Sequence, residues 1–132
     1  MKSYKDLEIY IESFSLYFET QKLSKELPKF ETYELGSQLR RAADSVVTNI
    51  VEGYGRRNYK AEFERFLIFS HSSANEVICH LEKIKILYQN HQVKATFLIQ
   101  KYDSLARKIY RFLMYVQRDW VVANSKSKVK LD

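Results

Sequence analysis

The chain is poor in residues that turn the backbone, with three glycines and one proline among its 132 residues. Tight turns between strands are built largely from glycine, proline, asparagine and aspartate, so a sheet protein needs a larger supply of the first two. This scarcity favours long helices joined by short connections.

Other features are missing as well, and each absence excludes a class of protein. The only cysteine, Cys79, cannot form an internal disulfide. No uninterrupted apolar run approaches the ~20 residues that cross a bilayer, so we expect no membrane contact. Met1 to Asp6 lacks the pattern of a signal peptide, and we expect a cytoplasmic protein.

The chain is rich in apolar residues and in positive charge. Hydrophobic residues make up 45% and charged residues 29%, which suits one domain with a single core. The net charge is +6. Residues 1–57 contain nine basic and nine acidic side chains, whereas residues 58–132 contain thirteen and seven, so the second half carries the whole excess. This asymmetry indicates a polyanionic partner.

Four segments repeat apolar residues at the three- and four-residue spacing of a helix. The first, about 4–26, should end at Leu27-Pro28, because proline disfavours a helical residue before it. The second is about 32–54, the third about 59–90 and the fourth about 94–122. The short connections predict an all-α, antiparallel up-down-up-down four-helix bundle over residues 1–124, with a basic, disordered tail at 125–132.

Three of these segments carry a narrow apolar seam that we expect to form the core. In the first segment the seam is Leu7, Ile11, Phe14 and Phe18. In the third it is Phe63, Leu67, Ser70, Ala74, Val77, Leu81, Ile84 and Tyr88. In the fourth it is Ala95, Ile99, Tyr102, Ala106, Ile109, Leu113, Val116 and Trp120.

The second segment has an apolar arc that covers about half of its helical circumference, wider than one core contact needs. The arc consists of Leu35, Leu39, Ala42, Ala43, Val46, Val47, Ile50 and Val51. We expect identical copies of the chain to cover the surplus, which predicts self-association. Gly53 and Gly55 should end this helix in the left-handed cap conformation, and Asn58 should cap the next.

A polar stripe follows the same segment, and we interpret it as a structural network with Glu76 of the third segment. The stripe consists of Gln38, Arg41, Ser45, Asn49 and Glu52. A buried arginine is costly unless it is paired, so Arg41 should meet Glu76 or Glu52. Arg40 lies outside the stripe, and we expect it to form a surface pair with Asp44.

Two groups of cations are candidates for binding nucleic acid. Arg56 and Arg57 lie at a glycine-flanked turn, where they and backbone donors would receive a phosphate. The other group occupies the arc of the fourth segment opposite its core seam, around Tyr115: Lys101, Arg107, Lys108, Arg111 and Arg118. Basic turns and solvated helix faces are common, so for both groups the purely structural interpretation remains the favoured one.

The sequence contains no constellation that indicates an enzyme. Glu76 and His80 share a helix face, but a di-metal bundle repeats Glu-x-x-His on two helices, and neither copy is present. His71 and His91 add no metal motif, and Cys79 is most simply a small buried or interfacial residue. Phosphate loops, nucleophile elbows and zincin motifs are missing. We therefore expect no enzymatic activity, no small-molecule substrate, no cofactor and no metal.

The stretch Phe30 to Leu81 resembles a bacterial four-helix-bundle family first found encoded in intervening sequences of large-subunit ribosomal RNA genes. The resemblance rests on FETYEL at 30–35, SQLRRAA at 37–43, Ser45, NIVEGYGRR at 49–57, Phe63, RFL at 65–67, Ser73, Glu76 and Leu81. Asp6-Leu7-Glu8 extends it towards the start of the chain. One departure is Ser70-His71-Ser72-Ser73, where the family often has Ala-Arg-Gly-Ser.

The resemblance implies a homopentamer around a central channel, without established enzymatic activity and with a role on nucleic acid. A more distant likeness, by fold alone, is to the basic, pentameric accessory protein of diversity-generating retroelements. Our leading hypothesis is a non-enzymatic homo-oligomer whose basic surface binds RNA or DNA, with ribosomal RNA as one candidate. The alternatives are an interaction scaffold for an acidic protein partner and a metal-dependent bundle enzyme.

Overall fold

Four α helices follow one another in a computed structural model that describes residues 3–122. They are α1 (Glu8–Glu26), α2 (Leu35–Gly55), α3 (Lys60–Leu87) and α4 (Gln92–Asp119). Short 3-10 helices at Tyr4–Asp6, Lys29–Tyr33 and Gln89–His91 precede α1, α2 and α4. No strand occurs in the described part of the chain, so the all-α prediction is confirmed. The predicted basic tail, 125–132, lies outside the described residues.

The cross-helix contacts show that neighbouring helices run antiparallel. Glu8 of α1 lies beside Lys108 of α4, and Glu19, further along α1, lies beside Lys94, nearer the start of α4. Contacts between α2 and α3, and between α3 and α4, likewise join later residues of one helix to earlier residues of the other. The most extensive packing joins α3 to α2 and to α4, whereas α1 and α4 touch less. The order around the bundle is therefore α1, α2, α3, α4.

Helix ends follow local chemistry, with two exceptions. Helix α1 ends two residues before Pro28, as predicted. However, α2 runs through Gly53 to Gly55, and no residue in the described range has a positive φ, so the predicted left-handed glycine cap is wrong. Gly53 instead permits close packing, because a Cβ there would lie 3.1 Å from Cβ of Phe66 on α3. Tyr59, not Asn58, precedes α3, and no side chain caps that helix.

The core confirms the seams of α3 and α4 almost completely. On α3, every predicted position is buried except Tyr88, which is half-buried. On α4 the buried stripe includes Leu98 and Leu105, while Ile99 and Trp120 are only half-buried. None of the helices in residues 3–122 contains an apolar stretch long enough to span a membrane.

The predicted seam of α1 is wrong beyond Leu7, because the apolar residues chosen from the sequence face outward. Ile11, Phe14 and Phe18 are 55%, 45% and 49% exposed. The buried stripe of α1 is instead Ile9, Ser13, Leu16, Thr20 and Leu23. Ser13 and Thr20, like the neighbouring buried Ser24, donate their hydroxyl hydrogens to backbone carbonyls about one turn earlier, which lets them occupy buried positions.

The apolar arc of α2 is buried by the chain itself except at Val51, which is half-buried. Val46 is 0%, Ala43 1% and Val47 9% exposed, because α1 packs on one side of α2 and α3 on the other. The Ser70 hydroxyl of α3 approaches closely enough to donate a hydrogen bond of 2.7 Å to the Val46 carbonyl. The argument that this arc requires copies of the chain to cover it is therefore wrong.

Candidate nucleic-acid interface

The turn that carries Arg56 and Arg57 is already occupied by contacts within the chain. The Arg56 guanidinium lies 3.4 Å from Glu52 and 3.2 Å from Glu62, and it covers the ring of Phe66. Arg57 donates a 3.0 Å hydrogen bond to the backbone carbonyl of Tyr54, and its guanidinium lies over the aromatic ring of Tyr54. Two carboxylates offset the charge at this turn, which weakens its case as a phosphate site.

The backbone of Arg57 also joins this turn to the end of α4, which lies at the same end of the bundle. Its carbonyl accepts a 3.0 Å hydrogen bond from the indole nitrogen of Trp120, which follows α4. The Trp120 ring packs edge-on against Phe63 of α3, with ring centroids 5.0 Å apart. These contacts indicate that Arg57 has a structural role.

The five cations predicted on α4 do not form one stripe, because they divide between two sides of the helix. Lys101 and Lys108 face α1 across a groove of about 630 Å³. The Lys108 ammonium bridges two α1 carboxylates, with Glu12 at 2.5 Å and Glu8 at 2.9 Å. The hydrogen bonds to Glu12 and Glu8 raise the pKa of Lys108, and the hydrogen bond from Lys108 lowers the pKa of Glu8. Lys108 therefore links α1 to α4 and is not a free cation.

Arg107 and Arg118 lie on another side of α4, away from the groove. Arg111 lies between the two groups, because it lines one pocket with Lys108 and Glu8 and a second one with Arg107. Arg107 forms an ion pair of 2.9 Å with Asp103, one turn earlier on the helix. Arg111 and Arg118 are exposed, and no carboxylate within residues 3–122 lies within ion-pair distance of either. At a rise of about 1.5 Å per residue, Arg111 lies about 6 Å along the axis from Arg107 and about 10 Å from Arg118.

A shallow cleft of about 380 Å³ opens between α3 and α4 beside these arginines. Ala106 is small enough to leave this space, and the cleft is lined by His71, Asn75, Asp103, Ala106, Arg107, Tyr110 and Arg111. The rings of His71 and Tyr110 form its aromatic side, with centroids 5.9 Å apart. We did not predict from the sequence that Asn75, Tyr110 and His71 lie beside the arginines. The available signal was that each lies beside the core seam of its helix.

The polar network predicted along α2 is present only in part. Ser45 and Ser73 share a hydrogen bond of 2.7 Å between α2 and α3, and Asn49 donates to both the hydroxyl and the carbonyl of Ser45. Arg41, however, is exposed and has no ion pair or hydrogen bond within the described range, so its predicted pairing is wrong. An exposed arginine keeps its hydration and needs no partner.

The remaining members of that network have other partners or none. Glu52 pairs with Arg56, Glu76 lies 3.5 Å from His80, and Gln38 is exposed. We had predicted that Arg40 pairs with Asp44, and this prediction is wrong. Arg40 donates a 2.7 Å hydrogen bond to the Thr32 carbonyl, and so ties the start of α2 to the preceding connection. The helical wheel grouped these residues on one polar stripe, but the predicted burial of Arg41 is wrong, and the wheel could not identify the partner of each side chain.

The metal-binding alternative finds no geometric support among residues 3–122, where no three His, Cys, Asp or Glu side chains are arranged around one ion. His80 is buried against Glu76 alone, and His91 lies 3.8 Å from Glu26. Cys79 is exposed, so of the two interpretations, buried or interfacial, the first is wrong and the second stays a prediction.

The fold and the surface define a small helical bundle with unpaired arginines on the outer side of its last helix. Residues 5–111 match the family model described as the 23S rRNA-intervening sequence protein. The chain therefore belongs to this family, and the resemblance seen in the sequence is confirmed. The match includes most of α4, whereas the quoted motifs end on α3. No curated protein matches the chain, and the likeness to the retroelement accessory protein stays a prediction.

Proposed function

We propose that the protein is a non-enzymatic homo-oligomer that binds nucleic acid through the outer side of α4, with RNA as the preferred class. The observation that carries this proposal is the exposure of Arg111 and Arg118, since neither has a carboxylate within ion-pair distance in residues 3–122. The lowered pKa of Glu8 is caused mainly by Lys108, and the charge of Arg111 adds only a smaller contribution. Elsewhere Arg56, Arg107 and Lys108 are offset by nearby acids. Unpaired cations along a helix suit a phosphate backbone, which also positions a protein without reading sequence.

The family description refers to an intervening sequence of 23S rRNA, which motivates RNA as the first ligand class to test. The distribution of charge adds to this motivation, since the second half of the sequence carries the net +6. Fold alone would not supply a function, so the proposal depends on the arginines and not on the bundle.

Salt-dependent binding of a fluorescein-labelled single-stranded RNA tests the proposal. Between about 50 and 200 mM salt, log Kd should rise linearly with the logarithm of the salt concentration. The slope should be about 0.7 for each phosphate contact on a single strand. The double variant Arg111→Gln/Arg118→Gln should weaken binding and lower the slope by about 1.4. The double variant Lys29→Gln/Lys83→Gln is the control, because it removes the same charge from exposed positions on other elements. If both variants behave alike, the outer side of α4 is not the interface.

The homo-oligomer we propose uses α1, because the arc of α2 is already covered. Ile11, Phe14 and Phe18 lie on the side of α1 opposite the core, and the two phenylalanine rings contact edge-to-face at 5.0 Å. Tyr10 stacks on Phe14 and Tyr17 packs on Phe18, which extends this aromatic surface. Contiguous exposed apolar surface is typical of protein interfaces. The family resemblance suggests five copies.

Light scattering of the purified chain tests the assembly. A pentamer would have five times the monomer mass of 15.8 kDa. The double variant Phe14→Ser/Phe18→Ser should lower the measured mass, whereas Tyr33→Ser, which changes a ring that is 90% exposed elsewhere, should not. A wild-type chain that scatters as a monomer at every concentration would show that the α1 surface does not drive self-association.

The groove between α1 and α4 favours a second candidate function, a scaffold for an acidic protein partner. Ile11 and Phe97 provide apolar walls, and Lys101 lies at the rim without a carboxylate within ion-pair distance in residues 3–122. Such a groove suits an amphipathic acidic helix. Crosslinking Lys101 to copurified protein, with no effect of nuclease treatment, would support the scaffold over the nucleic-acid binder.

A further inference from the structure

We infer that the cleft between α3 and α4 holds one unpaired nucleotide of a bound strand, so that the protein prefers single-stranded to duplex nucleic acid. This inference rests on the proposed function and names the form of ligand that the same surface takes. It starts from the aromatic wall of the cleft. Tyr110 is 51% exposed, and its backbone is held in place by helix α4, so its ring is available to a ligand.

The geometry of the two rings decides how a base would stack. The centroids of His71 and Tyr110 are 5.9 Å apart and the rings are tilted by 53°. A base inserted between two rings needs about 7 Å, twice an ordinary stacking contact of about 3.5 Å. A base would therefore stack on the outer face of Tyr110, with His71 supporting that ring from the other side. Stacking on tyrosine requires an unstacked base, which a duplex does not offer.

The polar groups of the cleft have hydrogen-bonding capacity that the fold does not use. Within residues 3–122, the Asn75 amide, the Tyr110 hydroxyl and the Arg111 guanidinium have no hydrogen-bond partner. Asn75 offers donors and an acceptor to a base edge, while Arg111 offers donors to a phosphate. The Asp103 carboxylate also lines the cleft, but its charge is paired with Arg107 at 2.9 Å. Asn75 would therefore bind the base of the nucleotide, and Arg111 would bind its phosphate.

The size of the cleft agrees with one nucleotide and not with a helical groove. Its volume of about 380 Å³ lies at the small end of ligand sites. Duplex nucleic acid would touch only the rim, at Arg111 and Arg118, and would leave Asn75 and Tyr110 without a role. The cleft therefore separates the two ligand forms, since only the unpaired strand gains contacts from Tyr110 and Asn75.

Fluorescence anisotropy with a labelled RNA of about 16 nucleotides, alone and annealed to its complement, tests the inference. The single strand should bind more tightly, and Tyr110→Leu should weaken single-strand binding about 5- to 100-fold with little effect on the duplex. Asn75→Ala should act in the same direction. Tyr33→Leu is the control, because it removes an exposed tyrosine that lies before α2 and lines neither the cleft nor the outer side of α4.

The outcomes separate the two proposals. Equal affinity for both RNA forms, or equal effects of Tyr110→Leu and Tyr33→Leu, would overturn the cleft assignment and leave nucleic-acid binding intact. A wild-type chain that binds neither RNA form at low salt would overturn the proposed function, and the cleft assignment with it. Circular dichroism of each variant confirms that the bundle is folded, which the exposure of both tyrosines leads us to expect.

Discussion

Thr20 and Tyr102 form a buried hydrogen bond between α1 and α4, the pair of neighbouring helices that packs least extensively. Both residues are 0% exposed, and their side-chain oxygens are 3.0 Å apart. The Thr20 hydroxyl donates its single hydrogen to the Leu16 carbonyl at 2.7 Å. Tyr102 must therefore be the donor in the interhelix bond, and Thr20 its acceptor.

This assignment predicts unequal costs for the two single substitutions. Thr20→Val keeps the shape but leaves the buried Tyr102 hydroxyl without an acceptor, which should cost about 1–3 kcal/mol. Tyr102→Phe removes the donor while Thr20 still donates to the backbone, so the cost should be about 0.5–1.5 kcal/mol. In the double variant no donor is left unsatisfied. It should be more stable than Thr20→Val alone, because replacing both partners with apolar groups of the same shape is close to neutral.

Urea unfolding monitored by circular dichroism, at one fixed protein concentration, measures these free energies. The total stability of a domain of this size is about 5–15 kcal/mol, so differences of 1 kcal/mol are readily resolved. Additive losses in the double variant would show that the two hydroxyls are not energetically coupled. A loss from Tyr102→Phe larger than that from Thr20→Val would show that the donor has been assigned in the wrong direction.

Two further predictions concern titration and close packing. The hydrogen bond to a buried glutamate raises the pKa of Tyr88 to about 12, and burial raises that of Tyr102 to about 12, against an ordinary value near 10. The unfolded chain releases these protons first, so stability should be complete below about pH 10 and fall as the pH rises towards 12, with two tyrosines ionising late by tyrosinate absorbance. If all the tyrosines titrate together near pH 10, the hydrogen bond of Tyr88 and the burial of Tyr102 do not raise their pKa values as described. Gly36→Ala should destabilise the fold by about 1–3 kcal/mol, because the added Cβ would lie 2.7 Å from a backbone carbonyl. The control Gly55→Ala meets nothing within 4 Å and should gain about 0.5–1 kcal/mol by thermal unfolding, and equal effects of the two would refute the packing argument.

Features that depend on a few neighbouring residues could be predicted reliably from the sequence. Pro28 predicts the end of α1, and the heptad seam from Phe63 to Ile84 predicts the buried face of α3, since both signals are local. The family could be recognised for the same reason, because its motifs are contiguous stretches on α2 and α3. Helical periodicity is a property of one segment and needs no knowledge of the partner helix.

The candidate site was predicted less well, because its residues come from different helices. Arg111 and Arg118 could be proposed from the pattern of α4, but the neutralisation of Lys108 by Glu8 and Glu12 depends on how α1 approaches. Tyr110 joins His71 only because α3 and α4 are adjacent and antiparallel. A single sequence contains no direct signal for such a pairing.

The sequence by itself thus determined the number of helices, their approximate limits and the excess of positive charge. Tertiary structure decided that Ser13 and Thr20 face the core while Phe14 and Phe18 face outward, and that the broad arc around Val46 is covered from within. The physical reason is that burial depends on the position of the neighbouring helix. A hydroxyl that bonds its own backbone costs little to bury, so hydrophobicity alone does not identify the inner face.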